Sequence, residues 1–98
     1  MNQVRIQPSA EADANNAANW YEGQQFGLGI EFILELDAAI ERAGEMPEAY
    51  GELYQNVRRV LVRRFPYAVY FVLVSGLVEV FAILHQHQNP ETWQSRVR

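Results

Sequence analysis

The sequence predicts an α+β fold: a single domain ordered strand, helix, helix, strand, strand, strand (β-α-α-β-β-β), with the helix hairpin packed on one face of an antiparallel sheet. Three observations carry this reading. Apolar residues recur at helical spacing as far as Pro47. Beyond Pro47 they follow the period of two that strands impose. The breaks between segments are short clusters of glycine, serine and proline, which suit hairpins and leave no length for crossovers. A chain of 98 residues has room for one core, so residues 1–98 are read as one domain.

The elements follow in order. Val4-Arg5-Ile6-Gln7 alternates and stops at Pro8, a short first strand expected at an edge of the sheet. Ser9 is the expected N-cap of the first helix. Glu11 and Asp13 lie in its first turn, where the helix dipole favours anions. Ala10, Ala14, Ala17 and Tyr21 share helical spacing, which places a helix over residues 10–23. Gly23 and Gly27 bracket the next turn. In the second helix Phe32, Ile33, Leu36, Ile40 and Ala43 form one stripe, and charged residues fill much of the remainder. Gly44 suits its C-cap, with Pro47 shortly after.

The strand-rich half begins with residues 56–64, an apolar run with arginines at both ends, closed by Phe65-Pro66. Residues 67–74 have little polar relief and read as a central strand. Ser75-Gly76 is a two-residue hairpin signal, and residues 77–85 form the last strand. Residues 90–98 open with Pro90-Glu91 and read as a helical turn or tail. The last three strands should form an antiparallel meander. Strict alternation sends Val78, Val80, Ala82 and Leu84 toward the helices, and Glu79, Phe81, Ile83, His85 and His87 to the opposite face. An uncovered apolar face on a small domain usually belongs to a partner, and that reading is preferred here. Its alternatives are closure by the C-terminal tail through Trp93, or dimerisation.

Charge is unevenly spread. Residues 1–52 hold ten acids against two arginines, residues 53–98 six arginines against two acids, and the whole chain carries −4. The basic half calls for an anionic partner. Every basic residue is arginine, a planar and permanently charged fork, so no lysine serves as a base. Arg58, Arg59, Arg63 and Arg64 fall within seven residues and form the candidate anion or acidic-peptide site. Alternation pairs Arg59 with Arg63 on one face and Arg58 with Arg64 on the other, without saying which pair meets the helices. His85 and His87 are the chain's two histidines. No third ligand beyond Glu79 accompanies them, so no metal is expected. There is no glycine-rich phosphate loop, no nucleophile elbow and no carboxylate pair with a pocket signal, so no cofactor and no catalytic residue are assigned. Absence of cysteine fits a reducing cytoplasm, Met1 to Ala10 has no apolar signal segment, and no run of 18 apolar residues exists. Cytoplasmic location without membrane contact is therefore expected.

An ordered set of landmarks then adds a resemblance. Trp20-Tyr21-Glu22 ends the first helix and Gly27-Leu28-Gly29 opens the second. Pro47 and Tyr50 follow in the loop, then Val57-Arg58-Arg59, Arg64-Phe65-Pro66-Tyr67, and His85 with Pro90 and Trp93. In this order, over nearly the whole chain, the sequence resembles the RelE/ParE superfamily of toxins from type II toxin–antitoxin systems, in its ParE-like branch, once called plasmid stabilisation proteins. The resemblance implies the same β-α-α-β-β-β fold and neutralisation by an antitoxin encoded alongside. The antitoxin lays an extended or helical segment over the toxin and carries its own DNA-binding part, so no direct specific DNA binding by this chain is implied. ParE-like members inhibit DNA gyrase; RelE-like members cut mRNA in the ribosomal A site with basic residues, often with a tyrosine or histidine near the C-terminus. This chain departs from the nuclease pattern in having no lysine and no tyrosine after Tyr70. It also has His87 where ParE-like members often carry arginine. The preferred reading is a non-enzymatic toxin whose partner and target contacts come from Arg58, Arg59, Arg63, Arg64, His85, His87 and Trp93. An mRNA endonuclease using His85 with Arg59 or Arg63 stays open, as does a degenerate toxin that only binds its antitoxin.

Overall fold

In the computed structural model, which describes residues 2–97, the chain forms β1 (Gln3–Ile6), α1 (Pro8–Gln24) and α2 (Leu28–Glu45), then a 3₁₀ turn (Pro47–Ala49). There follow β2 (Glu52–Tyr54), β3 (Val57–Leu61), β4 (Tyr67–Val74), β5 (Leu77–His85) and a last helical turn, α3 (Glu91–Gln94). The strands make one sheet in the order β1-β5-β4-β3-β2. β3, β4 and β5 are the expected antiparallel meander. β1 is an edge strand, parallel to β5. β2 is an addition at the other edge, three residues long and too short to show alternation in sequence. The β4–β5 hairpin places both Ser75 (φ 50°) and Gly76 (φ 80°) in the left-handed region, as a primed two-residue turn requires.

Two capping expectations are corrected. Gln7, not Ser9, is the N-cap of α1, and Pro8 takes the first helical position, where a missing N–H costs nothing. Ser9 instead donates its hydroxyl to the Phe81 carbonyl at 2.9 Å. Gly44 does not end α2; the helix runs through it to Glu45, with Met46 as C-cap. Gly44 is buried because β1 crosses it. An added Cβ would stand 2.8 Å from a Val4 methyl, and its carbonyl accepts the Asn2 N–H at 2.9 Å. Helix stops and close backbone approaches both select glycine, so the sequence signal is the same.

The hairpin turn is fixed by Glu22, whose carboxylate reaches forward from α1 to cap α2. It accepts the backbone N–H of Gly27 at 2.9 Å and of Gly29 at 3.0 Å. At Gly29 the helix backbones nearly touch, since a Cβ there would lie 2.7 Å from the Ala18 carbonyl oxygen.

β5 is bulged. Tyr70 pairs with Ala82 but Phe71 pairs with Val80, so Phe81 is an extra residue. The insertion reverses the alternation expected for the end of the strand. Val78 and Val80 do face the helices, where Phe32, Leu36, Val69 and Phe71 make the main core. Ile83 joins that core, while Ala82 and Leu84 turn to the opposite face with Phe81, Tyr70, Ala68 and Val57. His85 is likewise on the helix side, its ring edge-on to Tyr67 at 5.6 Å.

The opposite face is not left for a partner alone, as the sequence reading preferred. The tail covers it. Trp93 is buried on Tyr70 with ring centroids 4.9 Å apart and planes 21° from parallel, and it meets Tyr54 at 6.0 Å.

Two glycines give opposite expectations. Gly23, helical and with nothing near its Cβ position, should gain up to about 1 kcal/mol as Gly23→Ala. Gly29→Ala should lose about 1–3 kcal/mol through the clash with Ala18. Urea denaturation of both variants checks this, and a stabilised Gly29→Ala would contradict the tight hairpin.

Candidate functional site

The site is built around the bulge. β1 ends at Ile6, and the Gln7 N–H still bonds to the Val80 carbonyl at 2.8 Å; beyond that point β5 loses its edge strand. The exposed backbone groups find side chains instead. The Phe81 carbonyl accepts from Ser9 and from Arg96 Nη1, at 2.9 and 3.1 Å. The Ile83 N–H donates to Asp13 Oδ2 at 3.0 Å. Arg96 then grips the same carboxylate with both ends of its fork, at 2.7 and 3.3 Å, which holds the tail and Trp93 in place.

The seven residues expected to contact partners are distributed over three places. Arg58 pairs in register with Phe71 and turns to the helix side, where it donates to the Tyr50 carbonyl and to Glu52 at 3.4 Å. Arg64 stands in left-handed backbone (φ 72°) and reaches α2, bonding Glu31 at 2.7 Å with Glu35 at 3.9 Å. The hydrogen bond it donates to Glu31 is the chief reason its proton is held more firmly than in an ordinary arginine. Arg59 pairs with Tyr70 and lies half-buried on the face that Trp93 covers. Arg63 is exposed just past β3. Among the described residues neither Arg59 nor Arg63 forms an ion pair. The third place is the end of β5. There His85 and His87 rings lie 5.4 Å apart, and the His87 backbone N–H donates to His85 Nδ1 at 3.1 Å. Among the described residues no group of three or more histidine, cysteine or carboxylate side chains converges.

Other surface features escape the sequence reading. Trp20, Tyr21, Pro66, Tyr67 and His85 line an open aromatic cleft of about 400 Å³. Trp20 and Tyr21 stood out as landmarks, but the cleft draws on three elements, and periodicity within one element does not show it. Around the tail-covered face, Tyr54, Leu61 and Val74 remain exposed. Arg59 thus lies half-buried beside a partly covered apolar face, and Arg63 is exposed past the end of β3.

Comparison with known proteins agrees over most of the chain. Residues 4–90 match the model of a family described as ParE toxin of type II toxin-antitoxin system, parDE. Curated proteins named Toxin ParE2, from two strains of Mycobacterium tuberculosis, are each 22% identical over 96 residues, covering 97% of this chain and 91% of the relative. A solved structure titled chromosomal ParDE TA system from P. aeruginosa superposes with a TM-score of 0.73 at 13% identity, over 87% of this chain and 96% of that one. It shares the fold.

Burial is the main cause that raises the Tyr21 and Tyr67 phenols above the usual 10.0, with Tyr67 adding to the effect on Tyr21 and Asp13 to that on Tyr67. The folded chain therefore keeps these protons when the unfolded chain has lost them. The associated stability is fully present below pH 10.0 and declines as pH rises from there through the folded values. Phenolate absorbance should show a late-titrating component that Tyr21→Phe with Tyr67→Phe diminishes. A single transition at the ordinary tyrosine value would contradict the burial of this cleft.

Proposed function

The chain belongs to the ParE toxin family of type II toxin–antitoxin systems, and from that premise we propose that it is held silent by an antitoxin encoded beside it and, once released, binds and inhibits DNA gyrase in the cytoplasm. The observation that carries the binding mode is the separation of His85 from Arg59. Cleavage at a ribose 2′-hydroxyl needs a base, an acid and a cation gathered on one phosphate. Here His85 lies on the helix side of the sheet, its Nδ1 engaged by a backbone N–H, while Arg59 lies on the tail side. Arg58 and Arg64 are committed to Glu52, Glu31 and Glu35. This arrangement supports recognition of a protein partner over phosphoryl transfer. No helix among the described residues is long and apolar enough to cross a membrane.

Expression without the partner should stop growth, and co-expression of the small gene next door should restore it. Purified protein should inhibit gyrase supercoiling while primer extension finds cellular mRNA intact. Codon-periodic cleavage lost in His85→Ala, with supercoiling unaffected, would make the protein an endonuclease. Normal growth despite soluble, folded protein would make it a degenerate toxin.

The antitoxin is expected to meet Arg59 and Arg63 with acidic side chains. A well-formed charge-assisted contact contributes roughly 1.5–3 kcal/mol, so Arg59→Glu with Arg63→Glu should weaken the complex at least about tenfold. The affinity that remains should be less salt-sensitive. Titration calorimetry at two ionic strengths measures both, and an unchanged affinity would take these arginines out of the interface.

A further inference from the structure

The aromatic cleft between the end of α1 and the start of β4 has a composition that core packing alone does not require. Trp20 is 59% exposed, whereas the chain's other tryptophan, Trp93, is buried. The Trp20 ring stands edge-on to Tyr21, with centroids 5.2 Å apart and planes at 82°. Tyr21 meets Tyr67 at 6.0 Å and 64°, and Tyr67 meets His85 at 5.6 Å and 66°. Rings set this steeply to one another cannot all turn their edges to one space. The cleft is therefore bounded in part by π faces, which carry negative potential and attract cations. A second cleft, of about 390 Å³, shares Trp20 and Tyr67 with it and runs on past Asn16, Gln88 and Thr92 to Asp13.

Charge selects the occupant. Both clefts open along α1, in the half of the chain where residues 1–52 hold ten acids against two arginines. Asp13 acts through space on the Tyr67 phenol, so the negative field reaches the rings. A nucleic acid or an anionic lipid surface is repelled here. No arginine of this chain lines the aromatic cleft. Phe65, the next ring beyond Tyr21 at 4.8 Å, shows the fitting partner within the chain: the Arg64 guanidinium lies 5.5 Å from its centroid. A planar guanidinium stacks on aromatic faces better than a compact ammonium does. An acidic antitoxin segment has no such group to offer. An enzyme that handles DNA does, because it holds phosphates with exposed arginines and lysines.

We propose that the aromatic cleft captures an arginine side chain from the DNA-contacting surface of gyrase, with the guanidinium against the rings of Trp20, Tyr21 and Tyr67. The inference rests on the gyrase reading above and adds the place and the chemistry of the contact. It puts the target on the helix side of the sheet, away from Arg59. The toxin then occupies a cation that gyrase otherwise uses for phosphate.

The test uses the full chain, purified gyrase and two small probes. N-acetyl-arginine amide at millimolar concentration should shift the Trp20 indole N–H in nuclear magnetic resonance spectra, and its neutral citrulline counterpart should not. Trp20→Ala, at an exposed position, should leave melting unchanged and weaken inhibition of supercoiling roughly tenfold. Raising the DNA concentration should relieve inhibition by the native chain. Unchanged inhibition by Trp20→Ala overturns the proposal and leaves gyrase as the target. Weakened inhibition without an arginine-specific shift makes the contact apolar and overturns the captured cation. Inhibition indifferent to DNA removes the arginine from the DNA-contacting surface and overturns the proposal as stated. Concentration-dependent self-association lost in Trp20→Ala, with inhibition unaffected, would give the cleft to an arginine of a second copy. If the native chain does not inhibit supercoiling at all, the gyrase reading falls and this proposal with it.

Discussion

The carboxylate of Asp13 is the constraint on which the rest of the structure hangs. It lies near the start of the chain and accepts from Ile83 in the last strand and from Arg96 in the tail. Its side chain is 13% exposed and that of Arg96 28%, so neither group keeps a full hydration shell, and each needs the other. The bulge at Phe81 opens the ladder at that point, and the pair closes it. Without the bulge, the residues after Val80 would show their alternate set to the helices. Ile83 would leave the main core, and Ala82 and Leu84 would no longer lie under the tail.

Both helices and both faces of the sheet are set from this point. Only Gln7 separates the end of β1 from Pro8 at the start of α1, which brings Ser9 and Asp13 alongside the bulge. α1 then positions α2 through Glu22, and α2 reaches the far end of the sheet through Glu31 and Arg64. Arg5 and Glu79 join β1 to β5 on the tail side. The ion pairs at the sheet edges are exposed and individually contribute little. Their consistent placement matters more for register than for stability.

The periods of the sequence revealed the layered order, because the change from helical to strand spacing after Pro47 is a property of each segment alone. β4 and β5 were legible to the residue. The bulge was not, because residues 80–84 are all apolar and no residue type distinguishes an inserted one. The same ambiguity affected Gly44, where a helix stop and a close crossing by β1 demand the same residue. In the candidate site, the arginine cluster was visible as charge. Which arginines stay uncommitted was not, because that depends on strand register and on Glu31, Glu35 and Glu52 arriving from elsewhere in the chain. Trp93 was recognised as a possible cover for the sheet but ranked second, since the Asp13–Arg96 clasp that holds it is 83 residues apart in sequence and leaves no local trace.

That separation shapes how the chain comes into being. The helix hairpin is local and can form as soon as it is made, but β1 finds its partner strand 74 residues later and the clasp closes later still. Contacts this distant delay folding and make it cooperative. A polypeptide interrupted anywhere before Arg96 lacks the tie that closes both cores. The last contact to be made is thus one on which both faces of the sheet depend.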